Sequence, residues 1–377
     1  MKKILTSTAL VGSLVLLSAG ISNAQTTVTG NLAMSYKATS TDQTAADKKA
    51  GNNRTFGKES QINLTHTNKL SNGMGLVAGF SLEFDGSDAA PVNVSSATNA
   101  GNSVRGVTNE NTFIDIIAGN TTITFGADHM QNPDNTVTNL VGVADPDDII
   151  SGVGANTATL YSPGKNSAYQ AYQVGITQTT PIGKFSIGYA PDATTGQANS
   201  DTQGYGTTNA VTNYDVDESR MEIGFVGNLG VKDLTVQAFY NKEDNAGRKS
   251  LDTTRSSDQK GKMFAARYNL GTVALAYERG ETTSLAAITN KSNSFGVSFA
   301  AAKDITIGAN YTKTDTDRVA ANSSLGAATA DEKIKSVSVG YNLGPIVVGL
   351  SYGEVDGYNG QTSNDGKAVR LDTNVRF

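Results

Sequence analysis

The feature that most constrains this chain is the way its connections alternate. Segments whose apolar and polar residues alternate at period two follow one another along the sequence, joined in turn by a tight turn and a long polar loop. Period two marks a strand with one apolar and one wet face. Gln61–Leu70 passes through Ser71-Asn72-Gly73 into the alternating run from Leu76 to Phe84. Asn111–Ile117 and Thr121–Ala127 meet at Gly119-Asn120, and Tyr169–Gln178 and Lys184–Tyr189 at Pro181-Ile182-Gly183. Arg220–Gly227 and Leu234–Asn241 meet at Asn228-Leu229-Gly230, and Lys262–Asn269 and Thr272–Glu278 at Leu270-Gly271. Ser294–Ala300 and Ile305–Thr312 meet at Lys303-Asp304, and Ser336–Tyr341 and Ile346–Gly353 at Asn342-Leu343-Gly344. An unpaired strand stands at each end, Thr26–Tyr36 and Lys367–Phe377, which brings the total to sixteen. Seven connections are short, and eight are read as long polar loops, including the stretch Lys37–Lys58, which shows no periodicity.

A Greek-key sandwich has no reason to keep short and long connections in strict alternation. An up-and-down barrel crossing an outer membrane does, with short turns on the periplasmic side and long loops outside. The pattern therefore predicts an all-β fold, a 16-stranded antiparallel up-and-down transmembrane barrel whose first and last strands close on each other.

The leader is consistent with export. Lys2 and Lys3 precede the apolar run Ala9–Leu17, and Ser22-Asn23-Ala24 offers small residues for cleavage, so residues 1–24 read as a signal peptide and 25–377 as one barrel domain. No other run approaches the ~18 apolar residues of a spanning helix, so strands must carry any crossing. With 40 Gly and only 7 Pro, the composition suits strands joined by turns. There is no Cys, and 30 basic against 35 acidic residues leave a net charge of −5, which argues against nucleic acid as a partner.

Tyr36, Tyr189, Tyr240, Tyr277, Tyr311 and Tyr352 each close a rising strand just before a polar loop, on its apolar face, while Tyr268 and Tyr341 stand on falling strands directly before Asn-Leu-Gly turns. Two levels of amphipathic rings are what two membrane interfaces select. These features, together with the Asn-Val-Arg-Phe ending, resemble the general (diffusion) porins of Gram-negative bacteria, the alphaproteobacterial Rhodobacter-type branch in particular. The Pro-Glu-Phe-Gly-Gly motif of enterobacterial porins is absent. The resemblance implies a homotrimer in the cell outer membrane, each barrel holding a water-filled pore narrowed by an inward-folded third loop. It also makes Phe377 part of the signal by which outer-membrane assembly machinery reads the last strand.

On the connection count the third outer loop is the longest, about residues 128–168, with Asp134, Asp145, Asp147 and Asp148 against a single base, Lys165. Strand parity turns Lys69, Lys184, Arg220, Arg267, Arg370 and Arg376 toward the lumen, together with Glu83, Asp115, Glu222, Glu278 and Asp372. The inward parity is otherwise small and polar, Gly296, Gly308, Gly340 and Gly349 with Ser298, Ser338 and Ser351, as an open wet lumen requires. Acids on the loop facing bases on the wall predict weak cation selectivity. The function expected is passive diffusion of small polar solutes and ions; the alternative is a structural or adhesive barrel whose outside loops bind a partner. His66 and His129 lie far apart, so no catalytic or metal constellation forms, and the chain does not read as an enzyme. No cofactor is expected beyond a loosely held divalent cation at the acidic Asp145-Pro-Asp147-Asp148 run.

Overall fold

The computed structural model describes residues 24–41, 54–83, 108–127, 140–141, 149–150, 172–190, 219–243, 258–284, 288–319, 327–362 and 364–377. The leader, most of the third outer loop and His129 lie outside this set. Sixteen strands form one closed antiparallel barrel in which each strand pairs with its sequence neighbours and β1 pairs with β16. They are β1 Gln25–Thr41, β2 Arg54–Lys69, β3 Gly75–Glu83, β4 Thr108–Ala118, β5 Thr121–Ala127, β6 Tyr172–Thr180, β7 Gly183–Ala190 and β8 Arg220–Gly227. The second half comprises β9 Leu234–Glu243, β10 Gln259–Leu270, β11 Val273–Thr283, β12 Thr289–Ala302, β13 Ile305–Thr316, β14 Glu332–Asn342, β15 Ile346–Asp356 and β16 Gly366–Arg376.

Exposure alternates along the strands and defines the two faces. Phe264 is 48% exposed and Leu350 53%, whereas their neighbours Ala265 and Ser351 are buried. Most large apolar side chains thus look outward and most inward ones are small or polar, with Phe239 and Met263 among the inward exceptions. Phe80, Leu82, Tyr277, Val297 and Leu350 share the outward parity. Inside, hydroxyls pair across strands: Ser292 with Thr314, Ser294 with Thr312 and Ser338 with Ser351, each at 2.8 Å. Outside, aromatic rings pair at the girdles, Tyr36 with Phe56 and Tyr277 with Phe295 at 5.0 Å, and Phe185 with Phe225 at 4.7 Å nearer the turns. Such tilted pairs add about 0.5–1.5 kcal/mol beyond the area they bury.

Two of the three Asn-Leu-Gly turns share one device. Asn228 Oδ1 accepts the Gly230 amide and Asn342 Oδ1 accepts the Gly344 amide, both at 2.9 Å, while the glycines take φ of 79° and 85°. The asparagine side chain stands in for a backbone acceptor, and only glycine adopts the left-handed conformation at no steric cost.

Several strands run further than the sequence pattern indicates. Residues 37–41 and 54–58, read as part of a loop without periodicity, are strand, and β11 continues from Tyr277 to Thr283. The tyrosines therefore mark a level on the strands rather than their ends. Above that level both faces are polar, so the period-two signal fades although backbone pairing continues. As a consequence the connection between β11 and β12 spans only residues 284–288, and is not the long loop expected there. The third connection runs from 128 to 171, since β6 begins at Tyr172.

The seam is closed by the last residue. The Phe377 carbonyl accepts the Gly30 amide at 2.8 Å, and the Phe377 amide donates to the Gly30 carbonyl at 3.1 Å. The ring lies over Gly30: a Cβ there would stand 2.7 Å from Phe377 Cζ and 2.6 Å from the Gln61 carbonyl. An aromatic covering a strand glycine restores packing that glycine lacks.

Two outcomes follow. Leu350→Arg should cost about 2–4 kcal/mol of barrel stability, because it places charge at a lipid-facing position. The same change at inward Thr306 should cost less, as read by urea-dependent refolding into vesicles. Removing Phe377 should cost at most about 1.5–3 kcal/mol in detergent, the burial value of one large side chain, and should lower outer-membrane yield in cells more than refolding yield.

Candidate pore and its inner wall

Parity and pairing place the expected wall residues on the inner face. Lys69 opposes Gly75, Glu83 opposes Gln61, and Asp115 opposes Val77, which is buried inside. Lys184, Arg267 and Arg376 share the inward parity on β7, β10 and β16. Arg370 and Asp372 lie two apart on β16 and form an ion pair at 2.7 Å. Arg220 and Glu222 form another at 2.6 Å on β8, and both are only 1% exposed. Glu278 is equally buried. The wall charges are thus of two kinds. Lys69, Lys184 and Arg376 are open at the turn end of the barrel, whereas Arg220, Glu222 and Glu278 are covered.

Sequence parity missed Lys37, Glu59, Glu243 and Glu332, which also lie on inward positions. Lys37, Glu243 and Glu332 stand in the strand extensions above the aromatic level, where periodicity is lost, while Glu59 lies just below the Tyr36–Phe56 pair. Extending each strand until its outward residues turn charged would have found them.

Four described residues of the third connection touch the inner wall on the far side of the barrel from β5 and β6. Leu140 is buried with Ala265, Ala274 and Ala276 of β10 and β11. Beside it, a Cβ on Gly308 of β13 would meet Val141 Cγ2. Ile149 and Ile150, both 0% exposed, pack with Ile334, Val355, Ala368 and Tyr358. A Cβ on Gly353 would lie 2.8 Å from Ile149 Cγ2 and 2.9 Å from Ile150 Cγ2. The glycines at 308 and 353 are therefore seats for apolar side chains of this connection. The expected charged residues of that loop, Asp134, Asp145, Asp147, Asp148 and Lys165, lie outside the described residues, as does the acidic run considered for a cation.

Tyr358 belongs to a short 3-10 turn, Tyr358–Gly360, between β15 and β16. A polar clamp holds the turn. Arg318 donates to Asn359 Oδ1 at 2.9 Å and to its carbonyl at 2.8 Å, and Glu332 Oε2 accepts the Asn359 amide at 2.8 Å. Asn359 sits at φ 54°, in the left-handed region that asparagine tolerates better than most residues. Burial lowers the pKa of the Arg318 guanidinium from its ordinary value. Nothing in the sequence pattern singles out Tyr358, Ile149 or Ile150, since their burial comes from contacts between loops.

Among the described residues there is no group of three or more His, Cys, Asp or Glu able to hold a metal ion. His66 faces outward, its Nδ1 lying 3.1 Å from the Thr26 hydroxyl.

A closed sixteen-stranded barrel with an apolar outside and a polar inside is an outer-membrane channel. The chain belongs to the Gram-negative porin family, whose model matches residues 6–372. The protein is thus an outer-membrane porin, a channel rather than an enzyme. No curated protein is similar enough to match. Among solved structures it is similar to the anion-selective porin of Comamonas acidovorans, at TM-score 0.61 and 13% identity over 94% of this chain and 100% of that one. It is similar to a mutant porin of Rhodopseudomonas blastica at TM-score 0.55 and 12% identity, over 94% and 100% of the two chains. The outer membrane channel DcaP of Acinetobacter baumannii matches at TM-score 0.58 and 9% identity, over 95% and 99%.

Gly353→Val should displace Ile149 and Ile150 from their seat, because two methyl groups already stand within 3 Å of the new Cβ. Overpacking of this kind costs about 1–3 kcal/mol. The expected readout is altered single-channel conductance from a barrel that still refolds.

Proposed function

We propose that the protein is a passive diffusion channel for small hydrophilic solutes and ions, with the third outer connection folded inward as its constriction. The observation that carries this reading is the contact of Leu140, Val141, Ile149 and Ile150 with inward positions on β10 to β16. A connection that starts at β5 reaches that wall by crossing the lumen. Between these anchors lie Asp145, Asp147 and Asp148, close in sequence to Ile149. Carboxylates held in a narrow, low-dielectric passage focus the field on passing ions. In this reading Asp134 and Lys165 belong to the same loop, residues 1–24 are a cleaved leader, and residues 25–377 form the channel.

Weak cation preference is the selectivity these loop acids favour. The open bases at the turn end, Lys69, Lys184 and Arg376, act against it, and a porin of the same fold from Comamonas acidovorans is anion-selective. Reversal potential in a salt gradient decides the matter. The parent should favour cations, and the Asp145, Asp147 and Asp148 to Asn triple variant should lose that preference. A preference unchanged by the triple variant would place those residues outside the constriction.

The channel assembles as a homotrimer in this reading, through the face around β1 and β2. There Lys58 and Ser60 point outward opposite Met34 and Leu32, below the Tyr36–Phe56 pair. A charge in a lipid-facing band costs about 2–4 kcal/mol, so a neighbouring subunit covers this face better than acyl chains do. Light scattering of the detergent-purified protein should give three copies, and Ser60→Trp should reduce that number. Single copies of the unmodified protein would contradict the assembly.

A further inference from the structure

We propose that the channel rectifies: in dilute salt it passes more current when its loop side is positive than when its turn side is, and Lys69, Lys184 and Arg376 set this direction. The proposal rests on the channel reading above, but not on which ion the constriction favours. It starts from where the inward charges stand along the barrel axis. Lys69 is the last residue of β2, Arg376 the last of β16 and Lys184 the second of β7, so all three enter the lumen at the rim of tight turns. All three are exposed. Arg267 follows on β10, three residues before its end. Among the described residues no inward acid shares that rim. The first to appear are Asp115, fourth from the turn end of β4, and Asp372, fifth from that of β16. Asp372 is balanced by Arg370 at 2.7 Å, and Asp115 accepts the Thr124 hydroxyl at 2.6 Å. The neighbouring turns do not offset the rim, since Lys232 and Lys303 each stand beside an aspartate there.

Toward the loops the balance reverses. The inward positions there hold Glu59, Glu83, Glu222, Glu243, Glu278 and Glu332 against Lys37, Arg220 and Arg370. The wall is thus basic at one end and acidic toward the other, and a low-dielectric wall focuses both fields on the water between. Charge placed in this way makes the two directions of current unequal. With the loop side positive, anions enter through the basic rim and cations through the acidic end. Each carrier then enters at the mouth that concentrates it, and both fill the lumen. With the polarity reversed, each must enter past fixed charge of its own sign, and the lumen is depleted. Salt sets the size of the effect. The screening length is about 30 Å at 0.01 M, where the rim's field fills the mouth, and about 3 Å at 1 M, where it is confined to the wall.

The test is the current–voltage curve of single channels in a planar bilayer, with equal KCl on both sides. Channels are recorded one at a time, so that opposite insertions appear as mirror images and do not average to a straight line. At ~0.02 M KCl the parent should carry roughly twofold more current at one polarity, and the difference should vanish at about 1 M. The variant K69Q/K184Q/R376Q should give a nearly straight line in dilute salt. The charge-keeping variant K69R/K184R/R376K should rectify like the parent, and so should K291Q, which removes an outward lysine. A heat-modifiable gel shift establishes that each variant is folded. The sign is read on S284C, at the loop end, with a maleimide polymer too large to cross the pore. Channels whose current it perturbs from one chamber have their loops there, and should pass more current with that chamber positive. A straight line for the parent in dilute salt would overturn this inference and leave the channel reading standing, whereas inserted barrels without current would overturn both. Rectification of the opposite sign, or rectification that survives K69Q/K184Q/R376Q, would also overturn it.

Discussion

Everything in this structure depends on the satisfaction of backbone hydrogen bonds where no water can reach. In a hydrocarbon slab an unpaired amide or carbonyl costs several kcal/mol, so a sheet can cross only if it has no edge. Here the last possible edge is removed between β1 and β16, where eleven residue pairs from Asn31–Arg376 to Thr41–Gly366 run in register. Phe377 then adds two backbone bonds to Gly30 beyond the end of β16 and lays its ring over the glycine. Closure turns sixteen strands, none stable alone, into one cooperative cylinder with two chemically distinct faces.

Once the cylinder is closed, each strand must serve two solvents at period two. That requirement explains both the apolar outer band and the ladder of inner hydroxyls such as Ser294 with Thr312. It also explains the inner glycines at 308 and 353. They are not slack in the wall but recesses, filled by Val141 and by Ile149 with Ile150. Some of the apolar burial inside the lumen thus lies where a loop is fastened, as at Ile149 and Ile150. The Arg318–Asn359–Glu332 clamp fixes one such point, because it orients the turn that carries Tyr358 onto the two isoleucines.

The sequence carried the architecture because the two signals that encode it are local. Alternation within a strand and the contrast between tight turns and long loops both survive without any tertiary information, and they assign the inward parity of residues such as Lys69, Arg267 and Asp372 directly. What remained hidden is nonlocal. Strand ends were placed too early wherever the outward face becomes charged, as at Lys58, Lys262 and Lys335, because alternation needs an apolar partner to be seen. The burial of Arg220 and Glu222 was equally illegible, since parity says which way a side chain points but not what lies over it. The contact of the third connection with the wall depends on Ile149, Ile150 and Tyr358 packing together, and no spacing in the sequence encodes a contact between residues so far apart.

The central claim is that the closed barrel encloses a continuous aqueous path narrowed by a fastened loop. Single-channel recording in a planar bilayer tests it most directly, comparing the parent with a variant in which Ile149 and Ile150 are both changed to Asn. The account predicts discrete, long-lived steps of uniform size for the parent, and larger or noisier steps for the variant, whose loop has lost its apolar seat on Ile334, Val355 and Tyr358. A parent barrel that inserts fully but passes no current would contradict it, and would favour a plugged barrel that acts through its outside loops.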